Sequence, residues 1–224
     1  MHAALFLAAL ACAAQPVKFH DTATAARELA PHLETGTLLV SRGDCLAVKV
    51  FTDSQFTHVG SVVMGDSGPL VYDTVLATGA RRLTLEEYLA ALGRGNVQLL
   101  HPRRPFGAAE TASYRRYLES QLGRPYSLTQ YVKGETESGM HCSEYAVSAL
   151  VAADRAATRN ATRVSPGSLA EGVLEAQLYH TGLHFTLAEP PPPVGRNLCE
   201  QWWLDTKACC TQSCAQLRRW VFCE

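Results

Sequence analysis

The chain has 224 residues, of which 47% are hydrophobic, and a formal net charge of −1. This length supports one domain with a full hydrophobic core and is short for two, and the hydrophobic fraction is typical of a folded protein rather than a disordered one. The near-zero net charge gives no electrostatic reason to expect a nucleic acid or an anionic membrane surface as a partner.

The N-terminal residues 1–14 predict a secretory signal peptide. The stretch from Leu5 to Ala14 is an unbroken apolar run that ends in small residues. The run is too short to span a bilayer, so we expect no transmembrane span. Lipid attachment at Cys12 and a buried N-terminal helix are the alternatives. We expect secretion or export to the periplasm, which implies an oxidising compartment.

Helix and strand signals follow one another along residues 15–189, the predicted folded domain. An apolar stripe at helical spacing behind Asp21 or Thr22 predicts a helix over 20–33. Residues 46–51 fit a short strand or a helix. The other predicted strands are 37–41, 56–64, 70–75, 80–85, 96–101 and 183–188, and the other predicted helices are 84–92, 108–122, 142–156 and 169–176.

The strands over 56–64 and 70–75 flank a glycine-containing turn and predict a β-hairpin. If the turn is symmetric about residues 66 and 67, Gly60 lies opposite Asp73. His58 and Asp73 are then diagonal neighbours, about 7–8 Å apart at the backbone. Gly60 has no side chain, so Asp73 has room to lean towards His58. A register shift of one residue would move Asp73 to the opposite face of the sheet.

Cys142 stands where a loop turns into an amphipathic helix. The unpaired N–H groups and the dipole of a helix start favour a negative charge there, and hence a thiolate nucleophile. A small buried thiol that packs under the helix is the alternative. Neighbours on a helix do not face each other, so we expect His141 to be a surface or loop residue and not a catalytic base.

Cys142, His58 and Asp73 are together the parts of a nucleophilic Cys–His–acid site. We expect the Cys142 thiolate to attack a carbonyl carbon, and His58 to hold the proton and then protonate the leaving group. Asp73 would orient His58 and favour its charged form. Tyr126 and Tyr131 are candidate substrate-binding residues, with packing in the core as an equal alternative.

The C-terminal residues 190–224 combine a stiff proline linker with a cysteine-rich appendage. A zinc site is one possibility for such a segment, but the segment has no histidine and an oxidising compartment favours disulfides, so we expect no metal. Adjacent cysteines are expected to bond to different partners. With Cys12 removed with the signal and Cys142 kept for chemistry, the remaining cysteines are compatible with three disulfides: Cys45, Cys199, Cys209, Cys210, Cys214 and Cys223.

The ordered set of motifs resembles the permuted papain-like cysteine hydrolases. The segment 56–60, a following strand with an acid and the segment 141–145 are similar to those of the YiiX-like amidases, which are related to NlpC-type cell-wall endopeptidases and to lecithin retinol acyltransferase. In this permuted group the histidine precedes the cysteine, as it does here. The resemblance covers residues 36–172. It implies an α+β fold in which an antiparallel sheet carries His58 and Asp73, with the helix of Cys142 packed against it.

These observations predict an exported thiol-dependent hydrolase that cleaves an amide or ester bond through a covalent acyl-enzyme, without a metal or an organic cofactor. The expected substrate is a peptide, a lipid or another acyl-bearing molecule. The first alternative is a non-catalytic binding module of the same fold, with the cysteine-rich tail as its working surface. The second is a lipid acyltransferase, which requires an apolar acyl channel.

Overall fold

The structure is a computed structural model that describes residues 16–42, 54–128, 131, 139–188 and 196–222. The predicted signal peptide, Cys45, residues 46–51 and Cys223 lie outside the described residues. The described strands are β1 Val17–Phe19, β2 Leu38–Arg42, β3 His58–Gly65, β4 Gly68–Val75, β5 Gly79–Thr84, β6 Gly95–Pro102 and β7 Tyr179–Leu187. The described α-helices are α1 Thr22–Leu29, α2 Leu85–Leu92, α3 Ala108–Ser120, α4 Cys142–Ala152, α5 Pro166–Glu175 and α6 Leu198–Phe222.

The strands join one sheet in the order β1-β7-β6-β2-β3-β4-β5. The fold is therefore α+β, with a sheet packed against helices, as the sequence predicted. All pairings are antiparallel except that of β1 with β7, which is parallel. This edge strand departs from the expectation of a purely antiparallel sheet, because three residues are too short a pattern to be recognised from periodicity.

Helices cover both faces of the sheet, so the core has two layers. Helices α1 and α2 pack on one face, and α3, α4 and α5 pack on the other. Neighbouring strand residues alternate between the layers: Leu38 and Val63 lie in the α4 layer, whereas Leu39 and Val62 lie in the α2 layer. Burial on both faces explains why the central strands are apolar along their whole length.

Local signals set the helix boundaries. The Asp21 carboxylate accepts a hydrogen bond of 2.7 Å from the Thr24 N–H and so caps α1. Thr84 and Glu87 form a reciprocal capping box at the start of α2. Helix α4 ends at Ala152, earlier than the predicted residue 156, because Asp154 adopts the left-handed region with φ of 55°.

The C-terminal tail, predicted as a disulfide-stapled appendage, is helical where the structure describes it. It forms α6, one helix of 25 residues. Its four described cysteines are exposed free thiols: Cys199, Cys209, Cys210 and Cys214. Adjacent Cys209 and Cys210 point about 100° apart on this helix, so they do not bond to each other. Because Cys45 and Cys223 lie outside the described residues, the three disulfides stay a prediction. Neither α6 nor any other described helix is long and apolar enough to cross a bilayer, as predicted.

The two-layer core predicts different costs for two leucine truncations. Leu39 is fully buried in the central strand β2, whereas Leu183 in β7 is 37% exposed. Leu39→Ala should lower the free energy of unfolding by about 2–5 kcal/mol, because it leaves a cavity, and Leu183→Ala should lower it by about 0.5 kcal/mol or less. Urea unfolding of both variants checks this, and equal midpoints would contradict the layered core.

Candidate active site

The β3–β4 hairpin brings His58 and Asp73 together. Ser61 pairs with Tyr72 and Val62 with Val71, which is the register that the symmetric turn predicts. His58 and Asp73 are therefore diagonal neighbours on the same face of the sheet. The Nε2–H of His58 donates a hydrogen bond of 3.0 Å to Oδ2 of Asp73.

A second cation also binds Asp73. Arg81 lies directly opposite Asp73 in the β4–β5 pair. Its Nε donates to Oδ1 at 2.7 Å and its Nη2 donates to Oδ2 at 3.1 Å. Burial, which leaves Asp73 only 1% exposed, opposes the charged carboxylate, but the hydrogen bonds from His58 and Arg81 lower its pKa below the ordinary value. Asp73 is therefore an ionised acceptor shared by two donors.

Cys142 supplies the third predicted group. It is the first residue of α4 and is buried, and it lies near enough to His58 to act on the charge of the imidazole. Asp73 occupies Nε2 of His58, which leaves Nδ1 for the sulfur. Burial opposes the charged imidazole, but the electrostatic effect of Cys142 and the hydrogen bond to Asp73 outweigh it and raise the pKa of His58 to about 10. The structure thus brings the three predicted residues into contact.

The sulfur and the imidazole come from different layers of the molecule. Cys142 belongs to the α4 layer of the core. His58 and Asp73 share strand parity with Val62 and Val71, which lie in the α2 layer. The contact forms where β3 begins at His58 and α4 begins at Cys142. The candidate site therefore lies at an end of the sheet.

Tyr88 of α2 packs over the histidine. Its ring stacks on that of His58 with centroids 6.3 Å apart and planes 25° apart. Its hydroxyl is buried and has no hydrogen-bond partner in the described structure, and burial raises its pKa well above the ordinary value. Gly60 lies beneath this ring, since a Cβ on Gly60 would stand 2.8 Å from Cζ and from the hydroxyl of Tyr88. The missing side chain of Gly60 therefore makes room for Tyr88.

The start of α4 is anchored by its own side chains. His141 precedes α4 as its N-cap, as the loop alternative expected, but it is buried and is not a surface residue. Its Nδ1 accepts a hydrogen bond of 3.3 Å from the Glu144 N–H, and its Nε2 donates at 2.9 Å to the Thr162 carbonyl. Burial lowers the pKa of His141, in keeping with a neutral ring. The Ser143 hydroxyl donates to the Val164 carbonyl at 2.6 Å. Both residues fix the helix end, and neither is free to act as a base.

The two candidate substrate-binding tyrosines lie near the same helix start. Tyr126 forms a parallel bridge with Met140, and its ring lies close enough to Cys142 for the thiolate charge to act on it. Tyr131 meets the His141 ring edge-on at 5.8 Å between centroids. Tyr126 therefore lies within electrostatic range of Cys142, whereas Tyr131 packs against the His141 cap. Substrate binding by either residue stays a prediction.

Sequence reasoning missed Arg81 and Tyr88. The pairing of Arg81 with Asp73 requires the register of the β4–β5 hairpin, and the intervening residues 76–78 contain no glycine or proline that would fix its centre. The strand and helix that carry these residues were both predictable. The contact of Tyr88 with His58 depends on how α2 crosses the sheet, which local sequence does not specify.

Comparison with known proteins adds a fold similarity and no family. No protein-family model matches the chain, and no curated protein matches it. Five chains of solved structures match. One is the metalloprotein YiiX of Escherichia coli O157:H7, with 17% identity over 71% of this chain and 98% of that chain and a TM-score of 0.46. A similarity at this level says nothing about a shared activity. In the described part of this chain, no group of three or more His, Cys, Asp or Glu side chains is placed to hold a metal ion.

The packing of Tyr88 over Gly60 predicts the effect of a methyl group. Gly60→Ala should lower the thermal unfolding temperature, at a cost of about 1–3 kcal/mol, because the new Cβ would also stand 2.8 Å from Cγ1 of Val71. The matched control is Gly172→Ala in α5, where a Cβ meets nothing within 4 Å. This substitution should raise the free energy of unfolding by about 0.4–1 kcal/mol. Equal melting temperatures for the two variants would show that Gly60 is not needed for space.

Proposed function

We propose that the protein is an exported cysteine hydrolase that cleaves an amide or ester bond through an acyl-enzyme on Cys142. The observation that carries this proposal is the position of His58, which donates a hydrogen bond to the Asp73 carboxylate and lies within electrostatic range of Cys142. An imidazole between a buried acid and a thiol at a helix start is the arrangement that generates a thiolate nucleophile.

The reaction would proceed in two steps. In the first, the Cys142 thiolate attacks the acyl carbon, a carbon–sulfur bond forms, and the imidazolium of His58 gives its proton to the departing amine or alcohol. In the second, neutral His58 takes a proton from water as that water attacks the thioester. The acid leaves, and the thiolate and imidazolium are restored. Asp73 keeps the same orientation of His58 through both steps.

Two donors are placed for the oxyanion of each tetrahedral intermediate. The Cys142 N–H lies in the first turn of α4, where backbone N–H groups have no partner within the helix. The Tyr126 phenol borders the sulfur and is the candidate second donor. Burial raises the pKa of Tyr126 above its ordinary value, so the phenol keeps its proton and can donate.

Acyl electrophiles test the proposal directly. The purified chain is incubated with a panel of small acyl-bearing electrophiles, and the adducts are assigned by peptide mass spectrometry. We expect an adduct at Cys142, its loss in Cys142→Ser, and labelling at least about 100-fold slower in His58→Ala. The exposed Cys199, where reduced, and N-acetylcysteine serve as ordinary thiols for reference.

The alternatives give different results in the same experiment. A binding module forms no adduct at Cys142 above the rate of the reference thiols. An acyltransferase forms the adduct but releases it faster to an added alcohol or amine than to water. The first result overturns the proposal, and the second replaces hydrolysis by transfer.

The raised pKa of His58 predicts an unusual pH dependence. Because His58 keeps its proton up to about pH 10, the thiolate–imidazolium pair should persist across neutral pH. Iodoacetamide should therefore alkylate Cys142 at a nearly constant rate between about pH 6.5 and 9, whereas the rate of a free thiol rises about tenfold per unit below about pH 8.5. A Cys142 profile parallel to that of N-acetylcysteine would contradict the ion pair.

A further inference from the structure

Four groups that can carry charge follow one another through the candidate site. Cys142 lies within electrostatic range of His58, His58 donates a hydrogen bond to Asp73, and Asp73 accepts hydrogen bonds from Arg81. Their charges alternate in sign when the sulfur and the carboxylate are ionised. Asp73 is buried, whereas the Arg81 side chain is 25% exposed, so the row ends in a cation at the edge strand β5.

We propose that Arg81 is a positioning residue of this site, which holds Asp73 ionised and oriented so that the thiolate–imidazolium pair can form. The inference rests on the proposed function. Arg81 reaches the reacting atoms only through Asp73 and His58, and therefore acts on them and not on the substrate.

The geometry supports both parts of this role. The guanidinium binds both carboxylate oxygens of Asp73, at 2.7 Å and 3.1 Å, and this two-point contact fixes the carboxylate plane. Oδ2 is thereby aimed at Nε2 of His58. Without the two-point contact, only the single bond to His58 would hold the carboxylate.

The charge balance supports the role as well. With Arg81 present, the four alternating charges cancel. Without Arg81, an ionised site would hold one net negative charge beneath the surface, and burial would penalise it. The ionised form of the site would then be less favourable, and fewer molecules would hold the reactive pair.

The other groups around the row are neutral. Tyr88 faces His58 and Asp73 from α2, and Tyr126 borders the sulfur from the segment before residue 129. Burial raises the pKa of each phenol above its ordinary value. In the part of the chain that the structure describes, Arg81 is thus the cation that balances Asp73 when His58 and Cys142 balance each other.

Adjacent arginines provide a matched test. Arg82 follows Arg81 on β5 and points to the other face of the sheet, where it binds Glu119 at 2.9 Å and is 48% exposed. The variants are Arg81→Gln, Arg81→Lys and Arg82→Gln. The readout is the pH profile of Cys142 alkylation by iodoacetamide, resolved by peptide mass spectrometry, with thermal unfolding of each variant as the check on folding.

Arg81→Gln should move the acid limb of the profile up by about one pH unit, because a nearby charge is lost, and should slow alkylation on that limb by up to about tenfold. Arg81→Lys keeps the charge without the two-point contact, so the acid limb should stay near that of the wild type while the plateau rate falls a few-fold. Arg82→Gln should leave the profile unchanged.

The outcomes separate this inference from the proposed function. If wild-type Cys142 is activated and the folded Arg81→Gln variant has the same profile, Arg81 is not a positioning residue and the proposed function stands. If wild-type Cys142 reacts like N-acetylcysteine, the proposed function fails and the inference falls with it. Should Arg81→Gln fail to fold, Arg81→Lys decides, because a wild-type plateau rate in that variant would contradict positioning.

Discussion

The register of the β3–β4 hairpin is the constraint on which the candidate site depends. Because side chains alternate along a strand, only one pairing frame places His58 and Asp73 on the same face at diagonal positions. The two-layer core holds this frame, since a slip of one residue would exchange the buried neighbours Val62 and Val63 between layers. The stability of the sheet and the geometry of the site therefore have the same physical origin.

Electrostatics then decides what the arrangement can do. A buried carboxylate without partners takes up a proton, and a buried imidazole loses one. Here the charge of His58 offsets the burial of the Asp73 carboxylate, and the carboxylate offsets the burial of the charged imidazole. Cys142 adds a third group that favours the charged imidazole. This mutual dependence explains why the nucleophile is placed at a helix start, where the backbone N–H groups add further stabilisation for a negative charge.

Much of the site could be predicted because its signals are local. The turn at residues 65–68 fixes the hairpin frame, and the change from loop to helix at residue 142 locates the thiol. Arg81 and Tyr88 could not be predicted, since their contacts depend on the second hairpin and on the packing of α2. The burial of His141 could not be predicted for a related reason. Its Nε2 donates to the carbonyl of Thr162, which is distant in sequence, and this leaves Nδ1 as the acceptor. The long C-terminal helix was not predicted, because a cysteine-rich composition is typical of loops that disulfides hold together.

The origin of the sulfur and the imidazole in opposite layers has a mechanical consequence. Strand pairing does not fix the position of α4 relative to β3; the interlocking of side chains beneath the helix does. A shift of α4 by about 1 Å would leave every hydrogen bond between the strands intact and would still separate the sulfur from the imidazole. A misplacement of that size can lower the rate of a reaction about 100-fold. Loosened packing under the helix should accordingly abolish the proposed reaction long before the chain unfolds.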